Sequence, residues 1–340
     1  MLQLVEIYLL LTDKLKHIGH SLRVAHLSNR TLCSHSLLDK GRLMVTETPK
    51  ESVTNSNPLA NSRIAFIGLG VMAEAIAAGL LRKGLVKPEQ LVGSHPRSPR
   101  REELYAKYGI QMFEQNREAV VAAYPGDSIS GSLVILGIKP QRLTKVLDEL
   151  KGSIHQDQVV VSVVAGAKIE TIADELLHAA VVRTMPNTPA QIGEGVTAWT
   201  SSAAVSELQQ QQVCAMLEAL GKTVRVENER QIDMATALSA TGPTYIFLVM
   251  EALIDAGVHM GFSRHVSQEL VQQMILGSVL FARESHKHPA ELRNMVTSPG
   301  GTSAEAIYQM EKGSLRTVLS KAVWAAFQRA EALGVKRRED

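Results

Sequence analysis

The segment Gly68-Leu69-Gly70-Val71-Met72-Ala73 constrains this chain more than any other. It follows a compact apolar run, Ile64-Ala65-Phe66-Ile67, and opens a stretch in which Met72, Ile76, Leu80 and Leu81 recur at helical spacing. In a strand–turn–helix context the first glycine makes the tight turn. The second lets backbone N–H groups approach a pyrophosphate, and small Ala73 lets the helix pack closely on the strand. The helix N-terminus adds free amides and a partial positive charge. A dinucleotide is the expected ligand.

The end of the second strand, Leu91-Val92-Gly93, indicates which dinucleotide. An NAD site places a carboxylate there for the ribose hydroxyls. This chain offers Ser94-His95-Pro96-Arg97-Ser98-Pro99-Arg100-Arg101, without one. Hydroxyls with a basic cluster suit a 2′-phosphate. The plainer alternative is a solvated basic turn, but a helix start disfavours cations. The expected cofactor is NADP(H), with NAD(H) as the alternative.

Further strands are read at residues 133–138, 159–164 and 180–183, and the first two are near-continuous apolar runs of the kind buried on both faces. Helices at 101–108, 143–150 and 169–177 separate them. This alternation predicts an α/β fold: a Rossmann-like, doubly wound parallel sheet over residues 63–226 with right-handed crossovers. Beyond Glu227 strand signals vanish. Residues 232–256 (broken by Thr241-Gly242-Pro243), 263–285, 303–311 and 314–333 read as helices, several apolar on both faces. A bundle this short has little interior to hide such faces, so 227–340 is expected to be an all-α dimerisation domain buried against a second subunit.

Residues 1–62 stand apart. A short apolar stretch near Val5 gives way to a polar run with Pro49 and Pro58, which reads as a disordered leader, or as the result of a start set upstream of Met44. Net charge +2 leaves no basic excess for nucleic acid. Two cysteines, Cys33 and Cys214, give no disulfide framework and fit a reducing, cytoplasmic setting. No apolar run is expected to reach the roughly 20 residues of a membrane helix.

A second anion cradle is suggested by Val296-Thr297-Ser298-Pro299-Gly300-Gly301-Thr302-Ser303. Two glycines allow a backbone nest, and the hydroxyls of Thr302 and Ser303 are expected to cap the following helix. Without Lys or Arg it suits a small carboxylate better than a phosphate chain; an ordinary helix cap is the alternative. Other residues carry less. His286 and His288, two apart at a helix end, point to different sides, so no metal is expected. Cys214 reads as core, and Glu251 with Asp255 as a solvated stripe or subunit contact.

Taken together these motifs resemble the pyrroline-5-carboxylate reductase family. The resemblance runs from Arg63 to about Leu333. It rests on Ile138-Lys139-Pro140, Val164-Ala165-Gly166 and Arg183-Thr184-Met185-Pro186-Asn187-Thr188-Pro189. To these it adds Leu238-Ser239-Ala240-Thr241-Gly242-Pro243, His288-Pro289 and the Ser298-Pro299-Gly300-Gly301-Thr302 turn. It implies NAD(P)H-dependent reduction of 1-pyrroline-5-carboxylate to L-proline by a homodimer or higher homo-oligomer paired through its C-terminal helices. It further implies Gly68, Gly70, Val71 and Met72 at the pyrophosphate, Ser94 and Arg97 at the adenosine end, and Asn116 near its ribose. Lys139, Pro140, Ala165 and Gly166 would border the nicotinamide half, and Asn187 the substrate. Ser298, Gly300, Gly301, Thr302 and Ser303 would hold the substrate carboxylate, with Thr302 or Ser303 reaching the ring nitrogen as the catalytic hydroxyl. For Lys139, binding is favoured over an acid role. Departures are a longer segment at 124–132, expected to be a surface loop, Asn294 in place of an acidic residue, and Ser303 in place of a threonine. The competing readings are another imine or β-hydroxyacid reductase and a non-catalytic NADP sensor.

Overall fold

Side-chain alternation along strand β1 (Arg63–Ile67) sorts the core into two layers. Ile64 and Phe66 enter one apolar cluster, Ala65 and Ile67 the other. Strands β4 (Ser132–Leu136) and β5 (Gln158–Ser162) do the same, with Leu133, Ile135, Val159 and Val161 on the first side and Val134, Leu136 and Val160 on the second. Burial on both faces is why these runs are continuously apolar.

The computed structural model describes residues 57–124, 126 and 131–334. Most of the expected leader, Cys33 and most of the expected surface loop at 124–132 lie outside the described residues. The leader boundary needs correcting at its end: Leu59 is fully buried in the core, and Gln90 Nε2 donates to the Leu59 and Ser62 carbonyls at 3.0 and 2.7 Å.

The remaining strands are β2 (Leu91–Ser94), β3 (Gln111–Phe113), β6 (Val181–Met185), β7 (Gly195–Ser201) and β8 (Gly221–Arg225). They form one eight-stranded sheet in the order β3-β2-β1-β4-β5-β6-β7-β8. Ile64 pairs with Leu91 on one side and Leu133 on the other, so the order reverses between β1 and β4. Helices α1 (Val71–Arg82), α2 (Ser98–Tyr108) and α6 (Glu207–Glu218) cover the first face. Helices α3 (Asn116–Ala122), α4 (Leu143–Leu150) and α5 (Ile169–Leu176) cover the second.

The sheet is Rossmann-like but not wholly parallel, because β7 runs antiparallel to β6. β4 and β5 each stop two residues short of the expected ends, releasing Gly137-Ile138 and Val163-Val164 into loops at the carboxyl edge. After β8 come α7 (Glu229–Ala235), a π-turn at Thr236–Ala240, α8 (Gly242–His259), α9 (Arg264–Ser285), α10 (Pro289–Met295), α11 (Thr302–Lys312) and α12 (Leu315–Leu333). Here the expectation about membranes is corrected: Glu229–His259 is one helical stretch long and apolar enough to cross a bilayer by length and composition, and little of it is buried. The apolar exposure extends beyond that stretch. Within it Phe247 and Leu248, and beyond it Leu276, Phe281 and Trp324, are each about half exposed or more.

Candidate functional site

The loops that follow β1 to β5 all emerge at the carboxyl edge of the sheet, beside the reversal of strand order, where open α/β sheets bind ligands. At the phosphate turn Gly68 has φ +76°, a left-handed conformation, and a Cβ there would lie 2.5 Å from Ile138 Cγ2. Gly137 is as confined: its Cβ would stand 2.6 Å from the Gly68 carbonyl oxygen and 2.7 Å from the Ala73 methyl. Thus the end of β4 forms the floor of the turn. Gly70 is the N-cap of α1, with no side-chain cap, and the N–H groups of Val71, Met72 and Ala73 find no acceptor among the described residues. Val71 is 67% exposed. An anion cradle at a dipole end is the result, and a dinucleotide pyrophosphate fits it.

The second-strand cluster divides its cations. Arg100 pairs with Glu74 and, at 2.7 Å, with Glu103. Arg101 pairs with Glu114 at 3.0 Å and donates to the His95 and Pro96 carbonyls. Arg97 is exposed, and its guanidinium has no partner among the described residues. It is the cation free to meet a 2′-phosphate. Burial first, and then the charge of Arg97, hold His95 below its ordinary pKa, so the imidazole is neutral at pH 7 and adds no charge of its own. Glu74 receives Lys107 and Tyr108 at 2.9 and 2.8 Å as well as Arg100. Burial alone raises its pKa, but these hydrogen bonds outweigh burial and bring it down to about 2.

Two residues expected to contact the adenosine half are occupied with one another. Ser94 is fully buried; its hydroxyl donates to Asn116 Oδ1 at 2.6 Å and accepts from the Gly68 N–H at 3.4 Å. Asn116 Nδ2 in turn donates to Glu149. Lys139, extended and exposed, precedes the short 3-10 turn Pro140–Arg142, with Pro140 at its start. Ala165 and Gly166 form the turn after β5, where Gly166 has φ +75°.

Asn187 closes on the chain itself: Oδ1 accepts from the Val196 N–H at 2.9 Å, and Nδ2 donates to the Ser239 carbonyl in the π-turn at 3.2 Å. The turn at 298–303 is exposed for most of its length. Gly300 has φ +70°, and a Cβ on Gly301 would lie 2.5 Å from Ser298 Oγ. The capping expectation is corrected here. Gly301 is itself the N-cap of α11, and neither the Thr302 nor the Ser303 hydroxyl caps the helix. Both hydroxyls, and the N–H groups of these two residues, lack partners among the described residues. Outside the ladder of α11 itself, the hydrogen bonds of this turn among the described residues stay within residues 293–305, and none reaches the phosphate turn.

Sequence reasoning missed a buried charge cluster. Arg183 lies in β6 with its side chain 1% exposed, Nη1 3.2 Å from Glu229 Oε1 and Nη2 2.5 Å from Asp233 Oδ1. The available signal was an arginine inside an apolar strand, followed by two carboxylates spaced i, i+4 at the next domain's first helix. Deleting one partner of such a pair costs about 3–5 kcal/mol, since the other charge stays buried.

Comparison with known proteins adds an independent line. A family model described as pyrroline-5-carboxylate reductase dimerisation matches residues 229–333, and one described as NADP oxidoreductase, coenzyme F420-dependent, matches 63–166. The chain is 34% identical to a pyrroline-5-carboxylate reductase of Arabidopsis thaliana, covering 81% of this chain and 97% of that one. It is 35% identical to the Synechocystis enzyme of that name, over 81% and 99%. Among solved structures, a Plasmodium falciparum pyrroline carboxylate reductase with NADP bound superposes with TM-score 0.72 at 29% identity, over 81% of this chain and 99% of that one. A pyrroline-5-carboxylate reductase from Coxiella burnetii gives 0.72 at 33%, over 81% and 100%.

Proposed function

We propose that this chain, which belongs to the pyrroline-5-carboxylate reductase family, reduces the C=N bond of 1-pyrroline-5-carboxylate to give L-proline, with NADP(H) as cofactor. The observation that carries the reading is the extent of the match, which spans both the nucleotide-binding sheet and the helical region. We assign residues 63–226 to nucleotide binding and 227–340 to substrate binding and subunit pairing. The half-exposed apolar residues of α8, α9 and α12 support a homodimer or larger homo-oligomer. A cytoplasmic setting is supported by a sequence of only two cysteines.

The unpaired amides of Val71, Met72 and Ala73 hold the pyrophosphate, and Gly68 and Gly70 let it approach. Arg97 meets the 2′-phosphate. Ser94 and Asn116 act by bracing that end of the site, while Lys139, Pro140, Ala165 and Gly166 border the nicotinamide half. When bound, NADPH supplies a hydride from C4 of its nicotinamide. The amides and hydroxyls of Thr302 and Ser303, with Ser298, Gly300 and Gly301, hold the substrate carboxylate, and one of the two hydroxyls reaches the ring nitrogen. An iminium arrives already protonated, so the chain's main task is orientation at near-attack distance. Since no hydrogen bond among the described residues joins the turn at 298–303 to the phosphate turn, and the helical region matches a dimerisation model, we place this turn over the nicotinamide of a second subunit. Asn187 supports the substrate side by joining β7 to the π-turn.

Following NADPH absorbance after adding 1-pyrroline-5-carboxylate tests the reaction. Oxidation with this substrate is expected. Oxidation with a 2-oxo acid in its place would assign a hydroxyacid reductase of the same plan.

A further inference from the structure

The buried charge cluster does more than join β6 to α7. One carboxylate oxygen, Glu229 Oε1, accepts from Arg183 Nη1 at 3.2 Å and also from the backbone N–H of Ile169 at 2.8 Å. Ile169 is the first residue of α5, and its N-cap, Lys168, supplies no side-chain cap. One of the first-turn N–H groups that a helix leaves without an intrahelical acceptor is therefore satisfied from 60 residues further along the chain. Asp233, one turn after Glu229, holds Arg183 at 2.5 Å, so the arginine has a full counter-charge and Glu229 is free to divide its oxygen.

The same loop is gripped from its other side. A Cβ on Gly166 would lie 2.8 Å from both the carbonyl carbon and the Cβ of Leu333, the last residue of α12. Arg230, next to Glu229, meets Glu331 at 3.5 Å and sits over the Phe327 ring at 5.4 Å. The start of α7 and the end of α12 thus converge on residues 164–168, with a hydrogen bond at Ile169, where the loop enters α5, and a close backbone approach at Gly166, in its middle.

We propose that Glu229 is a positioning residue for hydride transfer. Anchored by Arg183, it caps α5 at Ile169 and fixes residues 164–168, and through them the nicotinamide half of the cofactor. This inference rests on the reading above that Ala165 and Gly166 border the nicotinamide. Glu229 touches neither substrate nor cofactor; it acts through the loop.

Glu229→Met keeps side-chain length and removes the acceptor, whereas Glu229→Gln keeps a carbonyl oxygen for Ile169. Calorimetry is run on the full chain with two ligands, NADPH and 2′,5′-ADP, the second lacking the nicotinamide. The expected result for Glu229→Met is NADPH binding weakened about fivefold, with 2′,5′-ADP unchanged within about twofold. Its kcat is expected to fall about tenfold through misorientation, with Glu229→Gln restoring most of the loss. Equal weakening of both ligands would reduce Glu229 to a structural role, and no weakening of either would remove it; each result overturns the proposal while leaving the reductase reading intact. A wild-type chain that binds neither ligand overturns both. Should Glu229→Met fail to fold, Glu229→Ala, which leaves the Arg183–Asp233 pair in place, carries the same comparison.

Discussion

Ser94 Oγ lies 2.6 Å from Asn116 Oδ1, and this single hydrogen bond ties the end of β2 to the start of α3 directly beside the phosphate turn. Because the Ser94 hydroxyl also accepts from the Gly68 N–H, the turn proposed for the pyrophosphate is braced by a buried group. Ser94→Ala is expected to cost about 1 kcal/mol of stability, the usual value of a buried hydrogen bond. Since the brace serves the pyrophosphate common to both cofactors, KM for NADPH and NADH should rise together. Denaturant titration and steady-state kinetics with each cofactor measure the two effects; a change confined to NADPH would place Ser94 at the 2′-phosphate after all.

Arg97 is the test of cofactor choice. Its neighbours Arg100 and Arg101 are already paired with Glu74, Glu103 and Glu114. Arg97→Glu should raise KM for NADPH by at least about tenfold, from loss of a charge-assisted contact and gain of a repulsive one, with little effect on NADH. An unchanged NADPH KM would remove the 2′-phosphate role.

Glu74 gives a pH dependence of defined sign. Its folded pKa of about 2 lies below the ordinary 4.5, so the fold favours the ionised form. The stability it supplies is complete above the ordinary value and is lost as pH falls from there through about 2. The stability gap between wild type and Glu74→Gln should therefore be widest near neutrality and close on acidification. A gap that is flat with pH would mean that the Arg100, Lys107 and Tyr108 contacts do not depend on the charge of Glu74.

The turn at 298–303 predicts a separation of effects. Thr302→Val removes a hydroxyl without changing shape, and it should raise KM for the imino acid while leaving the NADPH dissociation constant alone. Movement of the cofactor constant alone would show the turn to be misassigned.

Much of the fold was readable because its signals are local. The Gly68–Ala73 pattern and the apolar runs of β1, β4 and β5 each carry their own physical reason. The antiparallel strand β7 was missed because Gly195–Ser201 is neither a continuous apolar run nor a regular alternation, and because its direction depends on pairing Arg183 with Thr200 rather than on any turn motif. β8 is a largely exposed edge strand and β3 only three residues, so neither builds an apolar run. At the site, the phosphate turn was legible, whereas the roles of Ser94 and Glu229 rest on partners 22 and 46 or 60 residues distant. The capping reading of Thr302 and Ser303 failed because Gly301 takes the N-cap position itself, which puts the two hydroxyls one and two residues inside the helix.

Apolar exposure on α8, α9 and α12 makes the oligomer testable as well. Phe281→Glu, placed on a half-exposed aromatic of α9, should shift the mass measured by light scattering toward the monomer. An unchanged mass would move the subunit contact off this face.

Isotope transfer reaches the reaction itself. With NADPH carrying deuterium at both C4 positions and 1-pyrroline-5-carboxylate as acceptor, mass spectrometry and NMR of the product should find L-proline bearing one deuterium, on the ring carbon next to nitrogen and away from the carboxylate. Unlabelled proline, or NADPH consumed with no proline formed, would contradict direct hydride delivery to the C=N carbon.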